Sequence, residues 1–190
     1  ARTAREAVEI IGALIDEYGY STYGGNSHMF ADEQEGWVLL NFAGGKGLWI
    51  AERLGPDDVR MSYPGYIGDI PLDLKNNDDF MASANSIDFA IAQGWYDPDS
   101  GEGFNVTKVY GVEKERYPRS AMEAELQAAA PIDLRAMMNA VRDPRIAKDS
   151  TGYGQVAALK ANAHPDLNLL WIAPTGSVTA PFIPYRIGVQ

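Results

Sequence analysis

The sequence predicts an α+β fold in which helices pack on an antiparallel sheet. Apolar residues recur at helical spacing near the start, short strand-like runs separated by turns follow, and helical patterns return before two final strand-like runs. Hydrophobic residues make up 46% of the 190 residues, which is enough for a packed core. We therefore expect residues 1–190 to form one domain or a large part of one.

A start signal, an apolar face and a stop signal predict the first helix. Thr3 and Glu6 match the Thr-x-x-Glu capping box, which satisfies free amide groups at a helix start. Apolar side chains then recur at helical spacing: Val8, Ile11, Ile15 and Tyr18. Gly19 is the expected stop, because glycine tolerates the left-handed backbone conformation.

Short apolar runs after this helix predict an antiparallel meander. The runs cover residues 27–31, 37–42 and 48–53, with a candidate fourth at 59–63. Turn residues separate them: Asp32 and Glu33, glycine-rich residues 44–47, then Pro64 and Gly65. Residues 1–75 are therefore predicted to hold one helix plus antiparallel strands.

The rest of the chain is predicted to be mainly helical over residues 76–165, with strands returning over 166–190. The predicted helices cover residues 77–94, 121–130 and 132–141. A turn-rich link follows the first of these helices, and residues 143–163 are polar without a clear pattern. Strand-like runs at 167–173 and 180–185 end the chain.

Composition argues against several classes of partner. The net charge of −10 disfavours nucleic acid, since phosphate binding needs clustered Lys and Arg. No apolar run approaches the ~20 residues of a membrane helix, and we expect no signal peptide within these residues. The absence of cysteine excludes disulfides, thiolate metal sites and a cysteine nucleophile within this chain. The absence of cysteine does not decide the cellular compartment of the protein, for which the cytoplasm is favoured.

No spacing of residues alone identifies a catalytic or metal site. The acidic run 97–102 resembles a calcium loop, but Lys108 stands where such a loop wants an acidic residue, so we interpret the run as a turn. His28 and His164, the only histidines, show no ligand spacing. Ser177 lacks the Gly-x-Ser-x-Gly environment of a nucleophilic serine. Cofactor and metal are therefore not expected.

Five longer stretches of the sequence, taken in their order along the chain, carry a family resemblance. They are ARTAREAVEIIGALIDEYGY, the EGWVL…GLWIAERLGPDDVRMSYPGYIGDIPLDL run, NNDDFMASANSIDFAIAQGWYDP, GFNVTKVYG and LLWIAPTGSVTAPFIPYRIG. Together they resemble the dipeptidase A family of cysteine peptidases, which belong to the N-terminal nucleophile hydrolases. The resemblance spans nearly the whole chain.

The resemblance implies a fold and a chemistry. The strands with Trp37 and Trp49 would belong to a sheet of an αββα sandwich, and residues 56–68 would approach the active site. In the family, the thiol of an N-terminal cysteine attacks the peptide carbonyl, and its α-amino group acts as the base. This chain begins with Ala1 and contains no cysteine. We therefore expect an interior fragment, a processed piece or part of a larger protein, inactive alone.

Three residues are candidates for the site on the strength of the resemblance. Tyr63 stands where related enzymes have an oxyanion-binding asparagine, and its hydroxyl would either donate a hydrogen bond or only pack. An arginine supporting the nucleophile corresponds to Arg119 or Arg116, although both also fit ordinary surface groups. Asn105 is the third candidate, with a turn-forming role as its alternative.

The leading hypothesis is a portion of a cysteine dipeptidase that hydrolyses short peptides without a cofactor. One alternative is a non-catalytic binding or structural domain or subunit of the same fold, and another is an amidase or acylase acting on non-peptide amides. A partial sandwich leaves sheet edges and an apolar face uncovered. We therefore expect an oligomer, or association with other chains or with other segments of the same protein.

Overall fold

A computed structural model describes residues 1–61, 67–111, 118–160, 164 and 167–186 of the chain. The chain divides into two compact units, unit 1 (Ala1–Lys114) and unit 2 (Glu115–Gln190). Each unit combines helices with antiparallel strands, which confirms the predicted α+β class. Among the described helices, none has both the length and the apolar character needed to cross a membrane. The αββα arrangement implied by the resemblance stays a prediction.

Within its described residues, unit 1 contains three helices, a 3-10 turn and six strands. In chain order they are α1 (Ala4–Tyr18), β1 (Gly25–Ala31), β2 (Gly36–Phe42), β3 (Trp49–Leu54), β4 (Asp69–Ile70), β5 (Phe80–Ala82), α2 (Ser86–Ala92), the 3-10 turn Pro98–Ser100, β6 (Phe104–Asn105) and α3 (Val106–Tyr110). The main sheet has the strand order β1-β2-β3-β5, all antiparallel, and β4 pairs with β6. The predicted meander is thereby confirmed.

Both ends of helix α1 follow the predicted signals. The Thr3 hydroxyl accepts a hydrogen bond from the Glu6 amide at 3.1 Å. The Glu6 carboxylate accepts from the Arg2 amide, one residue before the position that a capping box uses. At the other end Gly19 has a φ of 70°, and its amide donates to the Ile15 carbonyl at 2.8 Å. The helix therefore begins and ends where the sequence predicts.

Apolar side chains cover both faces of the main sheet. On one face, α1 buries the alternate residues of β2 and β3: Trp37, Leu39, Trp49 and Ala51 pack with Val8 and Ile15. On the other face, Val38, Leu40 and Ile50 pack with residues from the rest of the unit: Ile67, Ile70, Ala90, Phe104 and Val106. Because both faces are buried, β2 reads as a continuous apolar run.

Two predicted elements of unit 1 differ from the structure: the helix over 77–94 is shorter than predicted, and the candidate strand over 59–63 is not formed at its described residues. The helix predicted over residues 77–94 is replaced by β5 and the shorter α2, because Phe80–Ala82 pairs with β3. The Asn77 side chain accepts from the amides of Asp79 and Phe80, a local turn that competes with helix formation. The strand predicted over 59–63 is not formed at 59–61, where Arg60 instead pairs with Glu52 of β3 at 2.6 Å. The remainder of that prediction lies outside the described residues.

The described part of unit 2 contains two helices followed by an antiparallel sheet. They are α4 (Arg119–Ala128), α5 (Leu134–Val141), β7 (Tyr153–Ala158), β8 (Leu169–Pro174) and β9 (Ile183–Arg186), with the strand order β7-β8-β9. The two predicted helices and the two final strands are confirmed with small shifts at their ends. Strand β7 was not predicted. One of its inward positions is Gly154, and a Cβ added there would lie 2.7 Å from the Ser177 side chain. Because this buried position is a glycine, the apolar alternation that predicts a strand is interrupted in the sequence.

Candidate functional site

An open cleft of about 590 Å³ lies beside β3, β5 and α2 in unit 1. Its walls are apolar side chains: Leu72, Leu74, Met81 and Ile87. Two charged residues, Lys75 and Asp88, also line it. The size and the mixture of apolar walls with a few polar groups are typical of small-molecule sites, which span about 300–1,000 Å³.

Two buried serines brace the segment at the start of α2, and one of them, Ser83, lines this cleft. Ser83 and Ser86 are 6% and 0% exposed, and their hydroxyl oxygens lie 2.5 Å apart. The Ser83 hydroxyl accepts from the Trp49 amide at 3.3 Å, and the Ser86 hydroxyl donates to the Trp49 carbonyl at 3.1 Å. These bonds join the start of α2 to β3. Both hydroxyls are thereby committed to the backbone, which leaves them a structural rather than a nucleophilic role.

Tyr110 also holds the start of the same helix. Its hydroxyl donates to the Ser86 carbonyl at 2.5 Å, and its ring stacks on Phe42 with centroids 4.3 Å apart. Burial raises the pKa of Tyr110 from 10.0 to about 12, because the phenolate would lose its hydration. The phenol therefore stays a neutral donor over the physiological range.

We expect Tyr110→Phe to lower the free energy of unfolding by about 1 kcal/mol at neutral pH, since it removes one hydrogen bond and keeps the ring. The folded pKa is raised, so the stabilisation by the neutral phenol is complete below pH 10 and is lost as pH rises toward 12. The difference between wild type and variant should therefore shrink in that window. Denaturant unfolding at several pH values measures it, with Tyr23→Phe, whose side chain is 97% exposed, as control. A difference that stays constant across the window would contradict this assignment.

Beneath α1 lies a buried polar pair that the sequence did not mark. Asn41 is 1% exposed, and its Oδ1 lies 3.0 Å from His28 Nε2. Its amide nitrogen has no hydrogen-bond partner within the described ranges. His28 is a residue of β1, as predicted. The only sequence signal for the pair was a single asparagine inside the apolar run of β2.

The structure describes two of the three predicted site residues, and these two lie in different units. Tyr63 and the alternative Arg116 lie outside the described residues. Asn105 belongs to unit 1 and Arg119 to unit 2. Neither unit by itself therefore joins them in one site.

The side chains of Asn105 and Arg119 are both engaged locally. The Asn105 amide donates to Asp69 at 2.7 Å, and its oxygen accepts from the Lys108 amide at the start of α3. The Arg119 guanidinium pairs with Glu123 at 2.7 Å, one turn along α4. These contacts agree with the turn-forming alternative for Asn105, and the Arg119 side chain is half-buried, with 22% exposed.

Comparison with known proteins identifies the family. The model of peptidase family C69 matches residues 1–121, which include all of unit 1. The chain belongs to peptidase family C69. This membership confirms the predicted dipeptidase family and makes the chain a relative of peptide hydrolases. Most of unit 2 lies beyond the match, so the resemblance suggested by residues 169–188 stays a prediction.

Curated relatives of this C69 chain carry dipeptidase names. A probable dipeptidase A of Streptococcus pyogenes serotype M1 is 33% identical over 115 residues, which are 60% of this chain and 23% of the relative. A dipeptidase of Bifidobacterium longum is 39% identical over 75 residues, 40% of this chain and 13% of the relative. A probable dipeptidase of Salmonella dublin is 31% identical over 125 residues, which are 63% of this chain and 27% of the relative. The matched part thus spans about a quarter or less of these relatives.

Proposed function

We propose that this chain is part of a C69 dipeptidase that hydrolyses short peptides with a cysteine nucleophile supplied by a segment outside these 190 residues. The observation that carries the proposal is the family match over residues 1–121, together with the dipeptidase names of the relatives. Because each relative is aligned over a small part of its length, the activity is that of the complete protein. This chain supplies a sheet, its covering helices and part of the substrate wall.

The hydroxyls of the buried serines among the described residues are already bonded, which agrees with a nucleophile from elsewhere. Three buried serines have hydroxyls that already bond to other groups: Ser83, Ser86 and Ser177. Ser177 is 1% exposed and donates to the Val141 carbonyl at 3.2 Å. A thiol at a mature N-terminus, with its own α-amino group as base, would form and then hydrolyse an acyl-enzyme. In this proposal Tyr63 donates to the oxyanion, and Arg119 and Asn105 support neighbouring segments.

The test uses the complete native gene product. N-terminal sequencing of every polypeptide in the sample should find one that begins with cysteine. The sample should hydrolyse an unmodified dipeptide such as Ala-Leu, and should lose that activity when its thiol is alkylated. Hydrolysis that survives alkylation, or a native product without any N-terminal cysteine, would refute the proposed chemistry. Binding of peptides without hydrolysis would favour a non-catalytic domain of the same fold.

A further inference from the structure

The cleft beside α2 carries one positive and one negative side chain on otherwise apolar walls. Lys75 and Asp88 both line it and both are exposed at its surface. Among the residues that the structure describes, neither takes part in an ion pair. Some other charges of unit 1 are paired, such as Arg53 with Asp79 at 2.8 Å. The cleft therefore offers two unused charges of opposite sign.

Two opposite charges over an apolar wall match the chemistry of a zwitterion with apolar side chains. A free dipeptide has an ammonium at one end, a carboxylate at the other and two side chains between them. Lys75 can donate to the carboxylate and Asp88 can accept from the ammonium, while Leu72, Met81 and Ile87 contact the side chains. Blocked or longer peptides would leave one of the two protein charges without its partner.

We propose that this cleft binds the two charged termini of a short peptide, with Lys75 holding the C-terminal carboxylate and Asp88 the N-terminal ammonium. The inference rests on the proposed function, because that function supplies the ligand. It goes further in naming the residues that make the protein a dipeptidase rather than a general peptidase. The selection works by charge, since an acetylated or amidated peptide loses one of the two contacts.

The serine brace, formed by Ser83 and Ser86, ties the start of α2 to strand β3 beside the cleft. Ser83 and Ser86 tie the first turn of α2 to the backbone of Trp49, and Asp88 lies on that same turn. A side chain on a braced helix loses less freedom on binding than one on a loop. Asp88 is therefore the better ordered of the two charges, and we expect the ammonium contact to be the more selective one.

The experiment follows binding to the complete gene product by NMR, with its thiol alkylated to stop hydrolysis and the backbone amides of residues 82–88 as reporters. The probes are Ala-Leu, its N-acetyl form and its C-terminal amide. Lys75→Gln should weaken binding of free Ala-Leu about fivefold and leave the amide unchanged. Asp88→Asn should weaken free Ala-Leu by a similar factor and leave the N-acetyl form unchanged. Lys46→Gln and Glu102→Gln, exposed charges elsewhere in unit 1, serve as controls.

The outcomes separate this inference from the proposed function. Equal binding of the three probes, equal effects on all probes in both variants, or no shifts at residues 82–88 would overturn the inference. Hydrolysis by the complete gene product is measured independently of this titration. If Lys75→Gln and Asp88→Asn leave KM for Ala-Leu unchanged while hydrolysis persists, the dipeptidase function stands and the cleft assignment fails. Selective binding without hydrolysis by the complete product would support the cleft assignment and refute the dipeptidase function.

Discussion

Replacing Trp49 by alanine is expected to lower the free energy of unfolding of unit 1 by about 3–5 kcal/mol, as for other large buried aromatic residues. Only 6% of Trp49 is exposed. Its ring packs against α1 at Gly12, and its indole N–H donates to the Asp16 carboxylate at 2.8 Å. The substitution removes the apolar contact between α1 and β3 and leaves a cavity between the helix and the sheet.

Denaturant unfolding followed by hydrogen exchange at the β2 amides measures this loss in unit 1 alone. A local readout is needed because two units can unfold separately. The matched control is Trp95→Ala, since Trp95 is 51% exposed and contacts Phe89 and Tyr110 only edge-on. It should cost about 1–2 kcal/mol. A Trp49→Ala effect no larger than the control would contradict the packing described here.

Gly12 provides a second, opposite test of the same contact. A Cβ added at Gly12 would clash with the Trp49 ring. We expect Gly12→Ala alone to destabilise by about 1–3 kcal/mol through overpacking, in spite of the ~1 kcal/mol that alanine gains in a helix. In the Trp49→Ala background the clash is gone and the same change should stabilise. Additive effects of the two substitutions would refute the contact.

The second large effect is expected in unit 2, where Arg142→Ala should cost about 2–3 kcal/mol, the range for losing hydrogen bonds to a charged donor. Arg142 Nε donates to the Ser177 carbonyl at 2.9 Å, and Nη2 donates to the Ala180 carbonyl at 2.6 Å. Its guanidinium also lies 4.7 Å from the ring of Phe182. One side chain thus joins the end of α5 to the loop between β8 and β9.

Arg135→Ala is the matched control, because Arg135 is an exposed residue of the same helix. It should change stability by less than about 0.5 kcal/mol. Arg142→Lys should recover only part of the loss, since an ammonium lacks the planar fork that spans two carbonyls. Hydrogen exchange at the β8 amides reports the effect. Full recovery by lysine would mean that charge alone, rather than fork geometry, holds the loop.

Much of the architecture was predictable because it is encoded locally. The capping pair Thr3 and Glu6 and the stop at Gly19 define α1 by themselves, and apolar runs bounded by turn residues define β1 to β3. The errors arose where distant partners overrule local preference. The helical spacing over 77–94 did not give one long helix, because Phe80–Ala82 pairs with β3. Strand β7 was not predicted, because Gly154 puts no apolar side chain at one of its inward positions.

The candidate site was less predictable, since its parts are far apart in the chain. Lys75 and Asp88 carry no recognisable spacing, and each looks like an ordinary surface charge in the sequence. The serine brace joins residues more than thirty positions apart, as in the bond from Ser86 to Trp49. The resemblance singled out Asn105, but in the structure its side chain is hydrogen-bonded to the Asp69 carboxylate and to the Lys108 amide.

The sequence by itself determined the family, the fold class and the ends of the first helix, because long ordered stretches and short-range signals survive without coordinates. Only the tertiary structure decided which side chains share a cleft, which hydroxyls are already bonded and which charges are left unpaired. Those properties depend on contacts between segments remote in the chain, and a linear pattern of residue types does not record such contacts.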